Sequence, residues 1–114
     1  MKFNSEQRHE HNVTAELYRQ LKNIGADVYM SYRFTGGEFD LVMVRGGEIA
    51  LAFEIKNHKR AYQKAGAQVA RYLQYGIPLV LVVGETMIPN AVAVAEKVLR
   101  GDKVEPLTRL IPRS

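Results

Sequence analysis

The sequence contains no cysteine. Disulfide bonds and zinc sites built from thiolates are therefore excluded, and the composition is compatible with a reducing compartment. No apolar run approaches the roughly 20 residues of a membrane-spanning helix, and the N-terminal residues lack the pattern of a signal peptide. We therefore expect a cytoplasmic protein with no membrane segment.

Internal repeats, low-complexity tracts and linker-like segments are also missing from the 114 residues. Hydrophobic residues make up 46% of the chain, which is enough for one small core. We expect a single domain over residues 1–114. The formal net charge of +4 permits a polyanionic partner without requiring one.

Two strands joined by a tight turn are predicted between Gly37 and Asn57, the segment around which the chain is organised. Phe39–Arg45 and Glu48–Lys56 are extended apolar runs, and the Gly46-Gly47 pair between them suits a two-residue hairpin turn. In the second strand, alternation gives one face of small and charged residues and one apolar core face. The first face is Ala50, Ala52, Glu54 and Lys56, and the second is Leu51, Phe53 and Ile55.

The turn also predicts which residues face each other across the hairpin. Folding at Gly46-Gly47 pairs residues whose numbers sum to about 93, so Asp40 lies beside Phe53 and Glu54. In that register, or in one that slips by a residue, two carboxylates and Lys56 converge at one end of a sheet. Carboxylates this close repel each other unless a proton or a cation neutralises them. Their hard oxygen atoms suit Mg²⁺.

A helix from Ser5 to about Asn23 is predicted before the strands, with Gly25 as its stop. Glu10 falls close to the centre of its apolar stripe, where an unpaired acid is costly, so we expect a partner or a metal for it. The alternative is that Glu10 simply occupies the helix start, which the dipole favours. Glu16 lies about 100° off the stripe, and the choice between the two acids stays open. The stripe consists of Val13, Leu17, Leu21 and Ile24.

The remaining elements follow from the same signals. Ala26–Phe34 is predicted as the first strand, and a second helix over about Ala61–Tyr75 leads to the apolar run Pro78–Gly84. That run is expected to be a central strand, covered on both faces and parallel to Glu48–Lys56. A third helix is predicted from a cap at Asn90 to about Arg100, with a stripe of Val92, Ala95 and Leu99; the tail at Val104–Ile111 is an edge strand or a subunit contact.

Basic and polar residues follow the hairpin at Asn57–Arg60. They come immediately after the expected metal site, where a phosphate backbone would pass; a solvated loop is the alternative. On the second helix Gln68 and Tyr72 share a face, with Lys64 one turn earlier and Tyr75 one turn later. A tyrosine stripe at this spacing is more often core than function. A buried Gln68, by contrast, needs polar partners.

This order of elements, with Asp40 on one strand and Glu54-Ile55-Lys56 at the end of the next, resembles the PD-(D/E)XK nuclease superfamily. The resemblance extends from about Glu6 to Gly84. Among the subfamilies, the chain looks most like the small Holliday-junction resolvases and the stand-alone VRR-Nuc domains. It implies an α/β fold with a restriction-endonuclease-like core, in which helices flank a mixed central sheet in α-β-β-β-α-β order. Such chains usually pair as homodimers. Phe39 stands where the motif has proline.

The resemblance also implies roles for individual residues. Asp40, Glu54 and the carbonyl group of Ile55 would ligate one or two Mg²⁺ or Mn²⁺ ions, and Glu10 would complete the site. Lys56 would orient the attacking water and offset charge on the phosphate. Gln68 would hold Lys56 or a phosphate, with Tyr72 packed beside it. The DNA backbone would be contacted by His58, Lys59, Arg60, Lys64 and Tyr72.

The expected function is that of a Mg²⁺-dependent DNA endonuclease acting in repair, recombination or phage DNA processing. No base-reading module is evident, so we expect selectivity for DNA structure, such as a junction, a flap or an end. Two other classes stay open: a non-catalytic nucleic-acid-binding module of the same fold, and an interaction domain in which Glu54 and Lys56 form an ordinary exposed pair. The nuclease predicts metal-dependent cleavage of DNA, the non-catalytic module predicts metal-independent binding without cleavage, and the interaction domain predicts no affinity for DNA.

Overall fold

The computed structural model describes residues 5–57 and 66–113, with side chains described from residue 9 onward. The described helices are α1 (Ser5–Asn23), α2 (Gly66–Leu73) and α3 (Ile88–Leu99), and a single 3₁₀ turn spans Glu85–Met87. The described strands are β1 (Asp27–Phe34), β2 (Gly37–Arg45), β3 (Glu48–Lys56), β4 (Leu79–Val83) and β5 (Leu107–Leu110). None of the described helices is both long and apolar enough to cross a membrane.

The five strands form one mixed sheet in the order β1-β2-β3-β4-β5. β1 and β2, and β2 and β3, pair antiparallel, whereas β3 with β4 and β4 with β5 pair parallel. All five residues of β4 are buried, as expected for a strand that is covered on both faces. The tail forms the edge strand β5. The predicted α/β class, mixed sheet and order of elements are therefore confirmed.

Helices cover the sheet on both faces. α1 and α3 pack on the face that bears Leu51, Phe53 and Ile55, and α2 packs on the face that bears Ala52. The alternation predicted for β3 is thus observed from Leu51 to Ile55, whereas Ala50 packs against the α1 and α3 face and not on the face of Ala52, so that part of the prediction is wrong. Because the α2 face of β3 has a small residue at its centre, it leaves room for the aromatic side chains discussed below.

Helix α1 ends where the sequence predicts. Gly25 has a φ of 86°, and the amide of Ala26 donates to the carbonyl oxygen of Leu21 at 3.0 Å. The amide of Gly25 donates to the carbonyl oxygen of Lys22, also at 3.0 Å. These two bonds make a Schellman C-cap, in which glycine adopts the left-handed conformation at no steric cost. The stripe residues Val13, Leu17 and Leu21 are buried.

Helix α3 begins three residues earlier than predicted, since its N-cap is Met87 and not Asn90. Pro89 lies in the first helical turn, where its missing N–H is not needed for an intrahelical bond. The helix therefore starts at Ile88, after the 3₁₀ turn, and not at a cap at Asn90. Its buried residues are Ile88, Ala91, Ala95 and Val98. The predicted Val92 and Leu99 are partly buried against the same core.

The register of the central hairpin slips by one residue. Facing residues next to the turn have numbers that sum to 93, as predicted, and beyond a shift between Met43 and Val44 they sum to 94. The extra residue in β3 is Ala50, which makes the irregularity a one-residue bulge. Continuing the shifted register places Asp40 opposite Glu54.

A second irregularity lies in β1. Ser31 has a φ of 54°, a conformation that residues other than glycine rarely adopt. Ser31 is opposite Asp40, at the position that the β1–β2 pairing skips. The two strands change faces here, since Met30 and Leu41 lie in the α1 layer and Phe34 and Phe39 in the α2 layer. The end of the hairpin that bears Asp40 therefore turns its aromatic residues towards α2.

Replacing Leu17 with alanine should destabilise the protein. Its side chain is fully buried in the core between α1 and the sheet, and truncation to alanine there costs about 2–5 kcal/mol. Asn12→Ala, at an exposed position of the same helix, should change the free energy of unfolding by less than about 0.5 kcal/mol. Urea unfolding of the two variants checks the layer assignment. Equal stabilities would contradict it.

Candidate active site

Asp40 and Glu54 each bind the main chain of the other's strand. The amide of Asp40 donates to Oε1 of Glu54 at 3.1 Å, and the amide of Ile55 donates to Oδ2 of Asp40 at 2.8 Å. The residue pairing of β2 with β3 ends one position earlier, at Leu41 and Phe53. Carboxylate oxygens thus accept from the amides at this end of the hairpin. The two acids that the sequence analysis places together do lie together.

Burial controls the protonation of the pair. Glu54 is only 3% exposed, and burial, reinforced by the negative charge of Asp40, raises the pKa of Glu54 to about 8. Burial also raises the pKa of Asp40, against the opposing effects of the Ile55 amide and the charge of Lys56. The pair therefore retains a proton near neutral pH unless a cation takes its place.

Lys56 is held from α2 by a row of hydrogen bonds. Its Nζ donates to Oε1 of Gln68 at 3.3 Å, and Nε2 of Gln68 donates to the hydroxyl of Tyr72 at 3.1 Å. The Tyr72 hydroxyl in turn donates to the carbonyl oxygen of Glu38 at 2.9 Å. An ammonium group can only donate and a carbonyl oxygen can only accept, so the direction of every bond is determined. The row fixes the orientation of the Gln68 amide towards Lys56.

The first helix brings a third acid near the pair. Glu10 is half-buried, and its negative charge contributes to the raised pKa of Glu54. Glu16, which is also half-buried, binds Arg19 and Gln20 of α1. Those two hydrogen bonds lower the pKa of Glu16 to about 2. The structure therefore favours Glu10 over Glu16 as the helix-borne acid of this site.

Four of the five residues predicted to contact nucleic acid lie outside the described residues, namely His58, Lys59, Arg60 and Lys64. Tyr72 is only 2% exposed, and its hydroxyl is engaged by Gln68 and by Glu38. Its ring is therefore closed to a nucleic acid, and the prediction of such a contact is wrong. The predicted packing of Tyr72 beside Gln68 is observed.

Sequence reasoning missed an aromatic cluster that adjoins this row. It consists of Phe34, Phe39, Tyr72 and Tyr75. Phe34 stacks on Phe39, with ring centroids 4.6 Å apart and planes inclined by 12°, and the ring of Tyr72 lies 4.8 Å from that of Phe39. A Cβ atom on Gly37 would lie 3.1 Å from Tyr72. A glycine pair between two phenylalanines was the available signal for an aromatic cluster at this turn.

No described group of three or more histidine, cysteine, aspartate or glutamate side chains could hold a metal ion. Comparisons of the chain with protein-family models, with curated proteins and with solved structures found no match. The function of this end of the sheet is therefore inferred from its own contacts. Those contacts bring together Asp40 and Glu54, with Lys56 two residues farther along β3.

Raising the pH should destabilise the protein in the absence of divalent cations. The pKa of Glu54 is about 8 in the folded state, against an ordinary value of 4.5. The contribution of the protonated Glu54 to the free energy of unfolding is therefore fully present below pH 4.5 and is lost as the pH rises through 8. Glu54→Gln mimics the protonated form and should reduce the loss between pH 5 and pH 9 by roughly 2–4 kcal/mol. Urea unfolding in EDTA across that range measures it.

The exposed residue Glu96 on α3 provides the matched control. Glu96→Gln removes the same charge without touching the pair, so it should retain the pH dependence of the wild type. Parallel stability curves for the wild type and Glu54→Gln would show that Glu54 does not hold this proton.

Proposed function

We propose that this chain is a metal-dependent DNA endonuclease of the PD-(D/E)XK type. The observation that supports the proposal is the reciprocal bonding of Asp40 and Glu54 at the end of the hairpin, with Lys56 two residues beyond Glu54. The mixed sheet and its order of elements agree with the same assignment. The chemistry proposed is hydrolysis of a phosphodiester bond.

The donor atoms at this end of the sheet suit a hard divalent cation. The hydrogen bonds to the main chain use Oδ2 of Asp40 and Oε1 of Glu54, so each carboxylate has a second oxygen to offer. The carbonyl oxygen of Ile55 is the further donor that the resemblance implies. Mg²⁺ commonly takes one or two protein carboxylates and fills its other positions with water and substrate phosphate. A site without three clustered acids is therefore compatible with Mg²⁺ or Mn²⁺, as one ion or two.

Each side chain of the site then has a definite task. A bound cation supplies Lewis-acid activation of water and neutralises charge on the phosphate. The ammonium of Lys56 orients the attacking water and stabilises the negative charge that develops on the phosphate. Gln68 holds that ammonium in place. Glu10 adds negative charge close to Glu54, which strengthens the attraction for a cation.

The DNA partner belongs to the same proposal. The net charge of +4 favours binding to a phosphate backbone, and His58, Lys59, Arg60 and Lys64 supply part of that charge or of its hydrogen bonds. We propose selectivity for DNA structure (a junction, a flap or an end) in repair, recombination or phage DNA processing. The cytoplasmic location and the homodimer expected from the sequence are parts of this proposal.

A non-catalytic nucleic-acid-binding module is the second candidate. It is favoured by the lack of a metal-binding group of three acids among the described residues. In this case the protonated Glu54 and its bond to the Asp40 amide serve only to close the end of the hairpin. Such a module binds DNA equally well in EDTA and does not cut it.

Cleavage of matched labelled substrates tests the proposal. We expect a four-way junction, a flap, a linear duplex or a single strand to be cut with Mg²⁺ or Mn²⁺ and not with EDTA. Lys56→Ala should lower the rate by about 100-fold or more because it removes a positioned charge from the transition state. Asp40→Asn should abolish cutting while DNA binding persists. Glu96→Gln should cut at the wild-type rate.

Full activity of both Lys56→Ala and Asp40→Asn would refute the assignment of these residues. DNA binding unaffected by EDTA, with no cutting of any substrate, would establish the non-catalytic module. Symmetric nicks confined to the four-way junction would place the protein with the resolvases.

Metal binding has a readout that is independent of cleavage. Mn²⁺ should raise the midpoint of thermal unfolding, since a ligand at 100 times its dissociation constant stabilises the native state by about 2.7 kcal/mol. Asp40→Asn should lose most of this shift, and Glu96→Gln should retain it. An equal shift in all three proteins would mean that the metal binds elsewhere.

A further inference from the structure

An exposed aromatic ring belongs to the cluster that adjoins the candidate active site. Tyr75 lies two residues after the end of α2 and is 46% exposed. Its ring contacts the half-buried Phe34 edge-on, with centroids 4.9 Å apart and planes at 86°. It also lies over the turn at Gly36, where an added Cβ atom would overlap the tyrosine hydroxyl and its ring carbon. The ring thus packs on Phe34 and on the turn at Gly36, and nearly half of the residue is exposed to solvent.

Phe34 connects this ring to the candidate site. Its ring centroid is 5.8 Å from that of Tyr72, and Tyr72 binds Gln68, which accepts from Lys56. Tyr75 and Lys56 are therefore linked through three consecutive side chains.

Positive charge lies beside Tyr72, a neighbouring ring of the same aromatic cluster. Arg71 is exposed on α2, and its guanidinium carbon lies 5.3 Å from the centroid of Tyr72. Aromatic rings next to arginine are the usual platform for single-stranded nucleic acid, because every base has a π face and every phosphate a charge. In a continuous duplex those faces are covered by stacking. Such a platform therefore discriminates in favour of unpaired nucleotides.

The other exposed tyrosines in the described part of the chain have different surroundings. Tyr29 and Tyr32 lie on β1. The hydroxyl of Tyr29 is hydrogen-bonded to the Asp27 carboxylate, which would repel a phosphate. Tyr32 pairs with Phe39, one residue before Asp40, whereas Tyr75 is connected to Lys56 through its ring contact with Phe34.

We propose that Tyr75 stacks an unpaired base of the strand that is cut at Lys56, with Arg71 beside the neighbouring Tyr72 ring as the accompanying positive charge, so that the substrate class is DNA with a single-stranded segment. This inference rests on the proposed nuclease function and deepens it. It selects flaps, frayed ends and junctions with open arms over continuous duplex.

Binding of oligothymidylate of about 12 nucleotides, compared with a hairpin duplex of equal charge, tests the inference. Fluorescence anisotropy in EDTA excludes cleavage and metal effects. Tyr75→Ala should weaken binding of the single strand by roughly 5- to 100-fold and binding of the duplex by less than about twofold. Tyr75→Phe retains the ring and should bind as the wild type does. Tyr29→Ala is the matched control and should also be unchanged.

Gly36→Ala provides a second test that leaves the tyrosine itself in place. The added methyl group displaces the ring, and Gly36 has no positive φ that an alanine would strain. Its affinity for the single strand should fall as that of Tyr75→Ala does. Wild-type affinity in both variants, or equal losses on single strand and duplex, would overturn the proposal, as would a wild-type protein that does not bind oligothymidylate.

The outcome is separable from that of the nuclease proposal. Tyr75-dependent binding of single strands without any cutting leaves this site in place and removes the catalytic one. Metal-dependent cutting by the wild type, with the same preference for single-stranded segments in Tyr75→Ala, confirms the nuclease and overturns the stacking site.

Discussion

The candidate site depends on how the main-chain amides beyond the last residue pair of β2 and β3 find hydrogen-bond acceptors. Main-chain amides at such a point need acceptors, because an unpaired buried amide costs as much as a lost hydrogen bond. Here the carboxylates of Asp40 and Glu54 accept from the opposite strands. The cost is that two negative groups are brought together away from water, which the protein can relieve only with a proton or a cation. The same two carboxylates thus complete the hydrogen bonds of the hairpin and create the need for a proton or a cation.

The sequence predicts regular features well and irregular ones poorly. The glycine pair at 46–47, the stop at Gly25 and the alternation of β3 from Leu51 to Ile55 depend on local geometry, and all three are observed. The bulge at Ala50 and the conformation of Ser31 have no local signal in the sequence, whereas the early start of α3 follows from Pro89 in its first turn, a signal that the prediction did not use. The burial of Tyr72 was missed because its aromatic neighbours Phe34 and Phe39 come from a turn more than 30 residues away in the sequence.

The two faces of the sheet differ in composition and in what they contribute to the protein. The α1 and α3 face is a continuous apolar core, which supplies most of the burial. The α2 face is smaller and more polar at its edge, and there Gln68 and Tyr72 link the helix to Lys56 and to the main chain at Glu38. Lys56 and Glu54 both lie on β3, but the Lys56 ammonium also binds α2, whereas the two carboxylates bind main-chain amides of the hairpin. A shift of α2 along the sheet would therefore change the orientation of the ammonium and leave the two carboxylates in place.

The bulge at Ala50 makes the hairpin sensitive to length in a way that composition does not reveal. From the last pair before the bulge to the opposed acids, β2 advances four residues, from Val44 to Asp40, and β3 advances five, from Ile49 to Glu54. Deletion of Ala50 would remove the bulge and leave a regular ladder, in which four residues on each strand still bring Asp40 opposite Glu54. Deletion of a residue from β2 over 41–43 would instead raise the difference between the two strands from one residue to two, so the two strands of the hairpin differ in their tolerance of deletion.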